Sequence, residues 1–192
     1  DARRAVAGAA LRVAIETEER LGEPRLAKRR LGSGGKTVLI ALRAPEDTDL
    51  PDAADLFDYA EELGERADEL AALDPLPSAV TVRGKLREVV VPSGMALLPD
   101  TALVALAAAA SVNAAVTARL ELYPRDLDPV RALELAQIAG YLGGAGIPPA
   151  DLRRRVLARF PRMTKLPDEP TPLYRALRKA GYEAEWSEDG KR

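Results

Sequence analysis

Between Asp52 and Leu73 the apolar residues return on a four-and-three step: Leu56, Ala60, Leu63, Ala67, Leu70. This spacing lays an apolar seam along one face of a helix, which must then be covered. Phe57, Gly64 and Ala71 widen the seam, and Asp74-Pro75-Leu76-Pro77 ends the element. The other face is acidic: residues 44–75 hold 12 acidic residues and 1 basic one. Any fold for this chain is built around a long helix with one buried and one negatively charged side.

Composition points the same way. The 192 residues include 35 Ala and 28 Leu but only 4% aromatics, which favours helix over sheet. There is no His and no Cys, which removes His/Cys zinc sites, disulfides, thiol nucleophiles and Ser-His-Asp or Cys-His pairs. No cofactor is expected. Acid and base pairs are plentiful, but no apolar context marks one as a general acid. These absences favour a binding or regulatory module over an enzyme, and the lack of Cys fits the cytoplasm. The chain opens on Asp1, which predicts a piece of a longer protein, and no secretory leader is read. Ala102–Ala118 is the best candidate for a membrane span. It is Ala-rich, interrupted by Ser111, Asn113 and Thr117, and shorter than the ~20 residues a bilayer needs, so no membrane contact is expected.

The net charge of −2 conceals segregation: residues 1–43 are net +5, 44–75 net −11, 76–148 neutral and 149–192 net +4. Basic ends can mark polyanion-binding surfaces, or charge can simply drift along solvated faces.

Three domains are expected. Residues 1–43 read as a helix from Arg3 to Leu21, with Val6, Ala9, Ala10, Val13 and Leu21 inward and Glu16, Glu18, Glu19 and Arg20 outward. Gly22 and Pro24 stop it. A β-hairpin follows, with strands Leu26–Leu31 and Lys36–Leu42 about Gly32-Ser-Gly-Gly35. Lys28, Arg29 and Arg30 line its first strand. Gly32-Ser-Gly-Gly-Lys-Thr37 hints at a phosphate-binding loop, but the required earlier Gly is Arg30 and a strand follows instead of a helix. Residues 44–128 form a helical middle: the acidic helix, an ambiguous helix or strand over Val80–Val91, and an Ala-rich helix from Pro99-Asp100-Thr101 to about Leu122.

Residues 129–192 read as a winged helix-turn-helix unit. Its helices are Pro129–Leu142 (capped by Asp128), Ala150–Phe160 and Thr171–Ala180, with Gly181 as C-cap. Tyr182–Trp186 alternates like a strand and Glu188-Asp-Gly190 like a turn, so a wing would begin there. The fold class is therefore mainly α, with winged helix-turn-helix units and short hairpins around a helical middle. The first 43 residues repeat the tail of the plan coarsely, as a helix, a Gly and a hairpin.

In such a unit the third helix enters the major groove and the wing touches phosphate. The candidate nucleic-acid contacts are Arg175, Arg178 and Lys179 on helix three, Arg154 and Arg155 on helix two, Lys191 and Arg192 on the wing, and Lys28, Arg29 and Arg30 on the first hairpin. Arg153 and Arg159 also decorate helix two. Guanidinium forks suit phosphate and guanine edges alike. Glu183, Glu185, Glu188 and Asp189 put a negative strip on the wing, and Trp186 either stacks on a base or caps the small core. The partner stays open between DNA and protein. The protein reading includes a homodimer through the 56–70 seam and the Ala-rich helix.

The phrases Arg119-Leu-Glu-Leu-Tyr-Pro-Arg125, Arg131-Ala-Leu-Glu-Leu-Ala136, Asp151-Leu-Arg-Arg-Arg-Val-Leu-Ala-Arg-Phe-Pro161, Leu166-Pro-Asp168 and Ala180-Gly-Tyr-Glu-Ala-Glu-Trp186 carry a resemblance. Over residues 45–190 the chain resembles the C-terminal region of PglW-type serine/threonine kinases of bacterial type 2 BREX phage-defence systems. The resemblance implies a non-catalytic segment and, as partners, other defence-system proteins. No kinase residue is carried over: without His there is no His-Arg-Asp loop, and Asp-Phe-Gly is absent.

Overall fold

A computed structural model describes residues 2–21, 25–31, 37–42, 49–142 and 147–183. The elements among them are α1 (Ala2–Leu21), β1 (Leu26–Leu31), β2 (Thr37–Leu42), α2 (Ala53–Ala71), α3 (Ala79–Leu86), α4 (Asp100–Ala110), β3 (Ala114–Val116), β4 (Leu122–Pro124), α5 (Pro129–Ala136), α6 (Ala139–Leu142), α7 (Pro149–Arg159) and α8 (Pro170–Lys179). The protein is mainly helical, with two small antiparallel sheets, β1–β2 and β3–β4. No helix among these residues is long and apolar enough to cross a membrane.

The acidic helix forms as its pattern dictates. Asp52 is the N-cap of α2, and its carboxylate accepts the Ala53 N–H at 2.7 Å. Leu63 and Ala67 are fully buried, and Ala60, Leu70 and Ala71 nearly so. The seam is filled by the chain's own α4. At the closest approach a Cβ on Gly64 would lie 2.8 Å from the Ala110 carbonyl carbon, so glycine is required there. The ambiguous Val80–Val91 segment starts as a helix. The Ser78 hydroxyl caps α3 by accepting the Thr81 N–H at 3.2 Å, and Val82, Leu86 and Val89 are buried.

Three expectations are corrected. The Ala-rich helix ends at Ala110, and the residues expected to continue it form β3 and β4. The cause is a pair of charges from elsewhere in the chain. The Asp68 carboxylate, on α2, accepts the Ser111 hydroxyl at 2.6 Å and the Asn113 and Ala114 N–H groups at 2.8 Å, with Val112 N–H at 3.1 Å. The Arg125 guanidinium donates to the carbonyls of Ala108, Ser111 and Ala114 at 2.8–3.1 Å. Together they satisfy the carbonyls at the end of α4 and the N–H groups of the turn beyond it, the groups a helix end leaves unpaired.

The second correction concerns Pro129–Leu142, which is two helices. Gln137 adopts a left-handed conformation (φ 53°, ψ 48°) between α5 and α6. In an unbroken helix Ile138 would point about 140° away from Leu133; with the break, both are buried. The third concerns α1. Val6 and Val13 face solvent, at 68% and 62% exposure, while Ile15 is buried. Glu18 turns inward to accept the Leu26 N–H and an ion pair from Arg25.

Two main cores result. One is built from α2, α3 and α4, the other from α5, α7 and α8. β3–β4 serves both through the two-residue alternation of a strand: Ala114, Val116 and Leu122 join the first core, Ala115 and Tyr123 the second. A smaller cluster seats β1–β2 on α2 through Ala27, Leu39, Ala41, Ala53 and Phe57.

Candidate nucleic-acid interface

The second core positions the basic helices. On α7, Leu152, Val156 and the following Phe160 point inward, and the Phe160 ring meets Tyr123 edge-on at 5.1 Å. The connection to α8 is stitched down at several points. The Tyr123 hydroxyl accepts the Arg162 N–H at 2.9 Å, and burial pushes that phenol's pKa up. The Thr164 N–H reaches the Leu127 carbonyl at 3.1 Å, and Met163 and Leu166 are buried. Arg153 donates to the carbonyls of Pro167 and Asp168 at 2.9 and 2.8 Å. A hydrogen bond from Lys165 holds Asp168 below the usual carboxylate range.

The spacing within α8 sorts its residues as expected. Leu173, Ala176 and Leu177 are buried, while Arg175, Arg178 and Lys179 are exposed. Pro170 starts the helix with a preset φ. Gly181, at φ +82°, ends it: its N–H reaches the Arg178 carbonyl and that of Tyr182 the Leu177 carbonyl. The Tyr182 hydroxyl then donates to the Leu133 carbonyl at 3.0 Å, tying the end of α8 to α5. Among the described residues, no salt bridge involves Arg175, Arg178 or Lys179.

The other candidates are placed differently. Arg154 pairs with Asp151 one turn back at 2.9 Å. Arg155 lies exposed on the neighbouring side of α7. Arg159 is committed inward, donating to the Leu135 carbonyl at 2.5 Å and lying 3.4 Å from Glu121. Lys191, Arg192, Trp186 and the wing lie outside the described residues, as does the turn at Gly32–Lys36.

On β1 the three basic residues line the strand as expected and alternate between its two sides. Alternation sends Arg29 to the same side as Ala27, against α2. There its guanidinium lies 5.0 Å from the Phe57 ring centre and pairs with Asp58 and Glu61. The hydrogen bond to Asp58 raises the Arg29 pKa. Lys28 points the other way and pairs with Glu19 of α1 at 2.7 Å, and Arg30 is exposed. Sequence reasoning missed the structural duties of Arg153, Arg159, Arg125 and Asp68. Their partners, mostly backbone groups, are brought near only by the fold, so no local spacing announces them. No cluster of three or more acidic residues able to hold a metal is found among the described residues.

No family profile matches the chain, and no solved structure matches it. A curated sequence does: "Probable kinase PglW" of Streptomyces coelicolor is 43% identical over 210 aligned positions, covering 94% of this chain. The match covers 13% of that much longer protein, in its C-terminal part. The chain thus belongs with the C-terminal region of PglW-type proteins.

Proposed function

We propose that this chain is a non-catalytic, nucleic-acid-contacting regulatory module of a bacterial phage-defence protein of the BREX type, acting in the cytoplasm. In this reading α5, α7 and α8 are the three helices of a winged helix-turn-helix, the residues after Tyr182 are its wing, and α8 is the element laid against DNA. The division at 1–43, 44–128 and 129–192 becomes a hairpin unit, a helical middle and a winged unit, with β3–β4 shared by the last two. Kinase chemistry would reside elsewhere in the longer polypeptide.

One observation carries the reading: Arg175, Arg178 and Lys179 share the solvent face of a helix whose other face is anchored in a core, and no acidic side chain among the described residues neutralises them. Cations with no internal partner can take phosphates without first breaking an ion pair.

A mobility shift with the purified chain and duplex DNA tests it. Binding is expected at low salt, falling to about micromolar or weaker at physiological salt, as for contacts to phosphate alone. No shift at about 100 µM protein in low salt, a concentration at the weak end of non-specific binding even at physiological salt, would refute it.

The exposure of Val6, Leu11 and Val13 on α1 favours a second reading, docking of a protein partner, including another defence-system component. Salt separates the two: apolar docking persists where phosphate contacts weaken.

A further inference from the structure

Each strand of the β1–β2 hairpin has one edge that the other strand does not cover, and the two edges differ. That of β1 is guarded. Glu18 of α1 takes the Leu26 N–H, Glu19 pairs with Lys28, and the strand carries Lys28, Arg29 and Arg30. Charged side chains and covering elements are how natural sheets keep an edge from pairing. β2, Thr37-Val-Leu-Ile-Ala-Leu42, has no charge and no proline, and its Val38 and Leu42 are exposed. In an antiparallel ladder every second residue aims its N–H and C=O away from the partner strand. On β2, no strand or backbone group among the described residues takes them up.

A cleft of about 190 Å³ adjoins this edge, lined by Leu39, Ile40, Ala41, Phe57, Met95 and Leu106 among others. Side chains alternate across a strand, so a cleft bordered by three consecutive residues follows the strand's edge and not one face alone. Its walls are aliphatic or aromatic throughout. The volume is below the ~300–1,000 Å³ of small-molecule sites and suits one or two apolar side chains. Charge borders it on one side. Asp55 precedes Leu56, a further lining residue. Asp49 lies beside Met95, since a Cβ on the neighbouring Gly94 would fall 1.8 Å from the Asp49 carbonyl oxygen. Asp49 and Asp55 are exposed, and neither has an ion pair among the described residues.

We propose that β2 and this cleft receive an extended segment of a partner protein as a third strand. Its apolar side chains, at alternate positions, fill the cleft, and basic residues flanking them meet Asp49 and Asp55. In strand addition the main-chain hydrogen bonds supply affinity, and pockets for alternate side chains supply selectivity. The rim carboxylates select a basic segment over an acidic one and disfavour a nucleic acid, which separates this surface from the α8 face.

Calorimetric titration of the full chain with a capped peptide tests the site. The peptide has Val, Leu and Val at alternate positions, Thr between them and two Lys at each end. Binding below about 1 mM is expected. Two further peptides carry N-methyl groups on alternate amides, one on the Val and Leu set and the other on the Thr set. A strand added at one edge pairs through one set only. One methylated peptide should therefore lose about tenfold or more in affinity, and the other should bind like the unmethylated peptide. Met95→Trp, at a half-buried position, should fill the cleft and weaken binding about tenfold. Asp49→Asn plus Asp55→Asn should melt like the wild type and weaken it by a smaller factor, while Arg175→Ala plus Arg178→Ala should leave it unchanged. Binding of the unmethylated peptide weaker than about 1 mM, or two methylated peptides that bind alike, overturns the proposal, and neither result depends on a variant folding.

Discussion

β1 and α8 each carry three basic residues within five positions or fewer, Lys28, Arg29, Arg30 and Arg175, Arg178, Lys179, and a reading by composition treats them alike. The fold separates them. On a strand, consecutive residues face opposite sides, so the basic run is divided: Arg29 goes to Phe57, Asp58 and Glu61, and Lys28 to Glu19. On a helix, spacings of three and four gather side chains, so the α8 cations share one face and leave the acidic helix untouched. Charge density in a sequence measures how many cations are present. The period of the element they fall on decides how many remain for a ligand.

The predictions probe that contrast, from the largest effect to the smallest. Leu173→Ala should destabilise by about 2–5 kcal/mol, because a fully buried anchor leaves a cavity. Leu39→Ala, at the half-buried seat of β1–β2, should cost about 1 kcal/mol or less. Similar losses in denaturant melts would mean that both elements are equally anchored.

Asp68→Ala should cost about 3 kcal/mol by orphaning the donors it satisfies at the α4–β3 corner. This corner links α2, on which β1–β2 rests, to the sheet that contributes Ala115 and Tyr123 to the core holding α8. Burial pushes the Asp68 carboxyl up, but hydrogen bonds from Ser111, Asn113, Val112 and Ala114 outweigh it and leave its pKa below the ordinary value. Its stabilisation is therefore complete above about pH 4 and disappears as pH falls through the lowered value. Asp68→Asn should flatten that acid limb; an unchanged limb would place the acid sensitivity elsewhere.

Arg175→Ala plus Arg178→Ala should weaken DNA binding by about tenfold or more with no change in melting, as removal of two charge-assisted phosphate contacts demands. Arg29→Ala should do the opposite. DNA affinity should hold, and stability should fall by about 0.5–1 kcal/mol for a partly exposed ion pair and ring contact. Lys28→Ala plus Arg30→Ala should change DNA affinity by less than about twofold, within the range of surface substitutions. A larger loss would return β1 to the interface.

What was legible in the sequence follows the same physics. The α2 seam, the α7 and α8 faces, the Asp128 cap and the Gly181 stop were visible because each depends on residues a few positions apart. β3–β4 was not. Ala107–Ala110 and the Ala and Val residues beyond suit a helix, and what ends it is Asp68, more than forty positions away. The break at Gln137 was hidden because a left-handed Gln has no sequence signature. The α8 cations were legible as a face, whereas the pairing of Arg29 required knowing that β1 lies on the acidic helix.

The central claim is that α8, and not β1, supplies the phosphate contacts. The most direct test is the salt dependence of duplex binding for the wild type, the Arg175/Arg178 alanine pair and the Lys28/Arg30 alanine pair. Removing one cation that touches a phosphate lowers the slope of log K against log salt by about one. The α8 pair should therefore lower it by about two and the β1 pair should leave it at the wild-type value. A wild-type slope in the α8 pair, or an equal fall in both, would contradict the account.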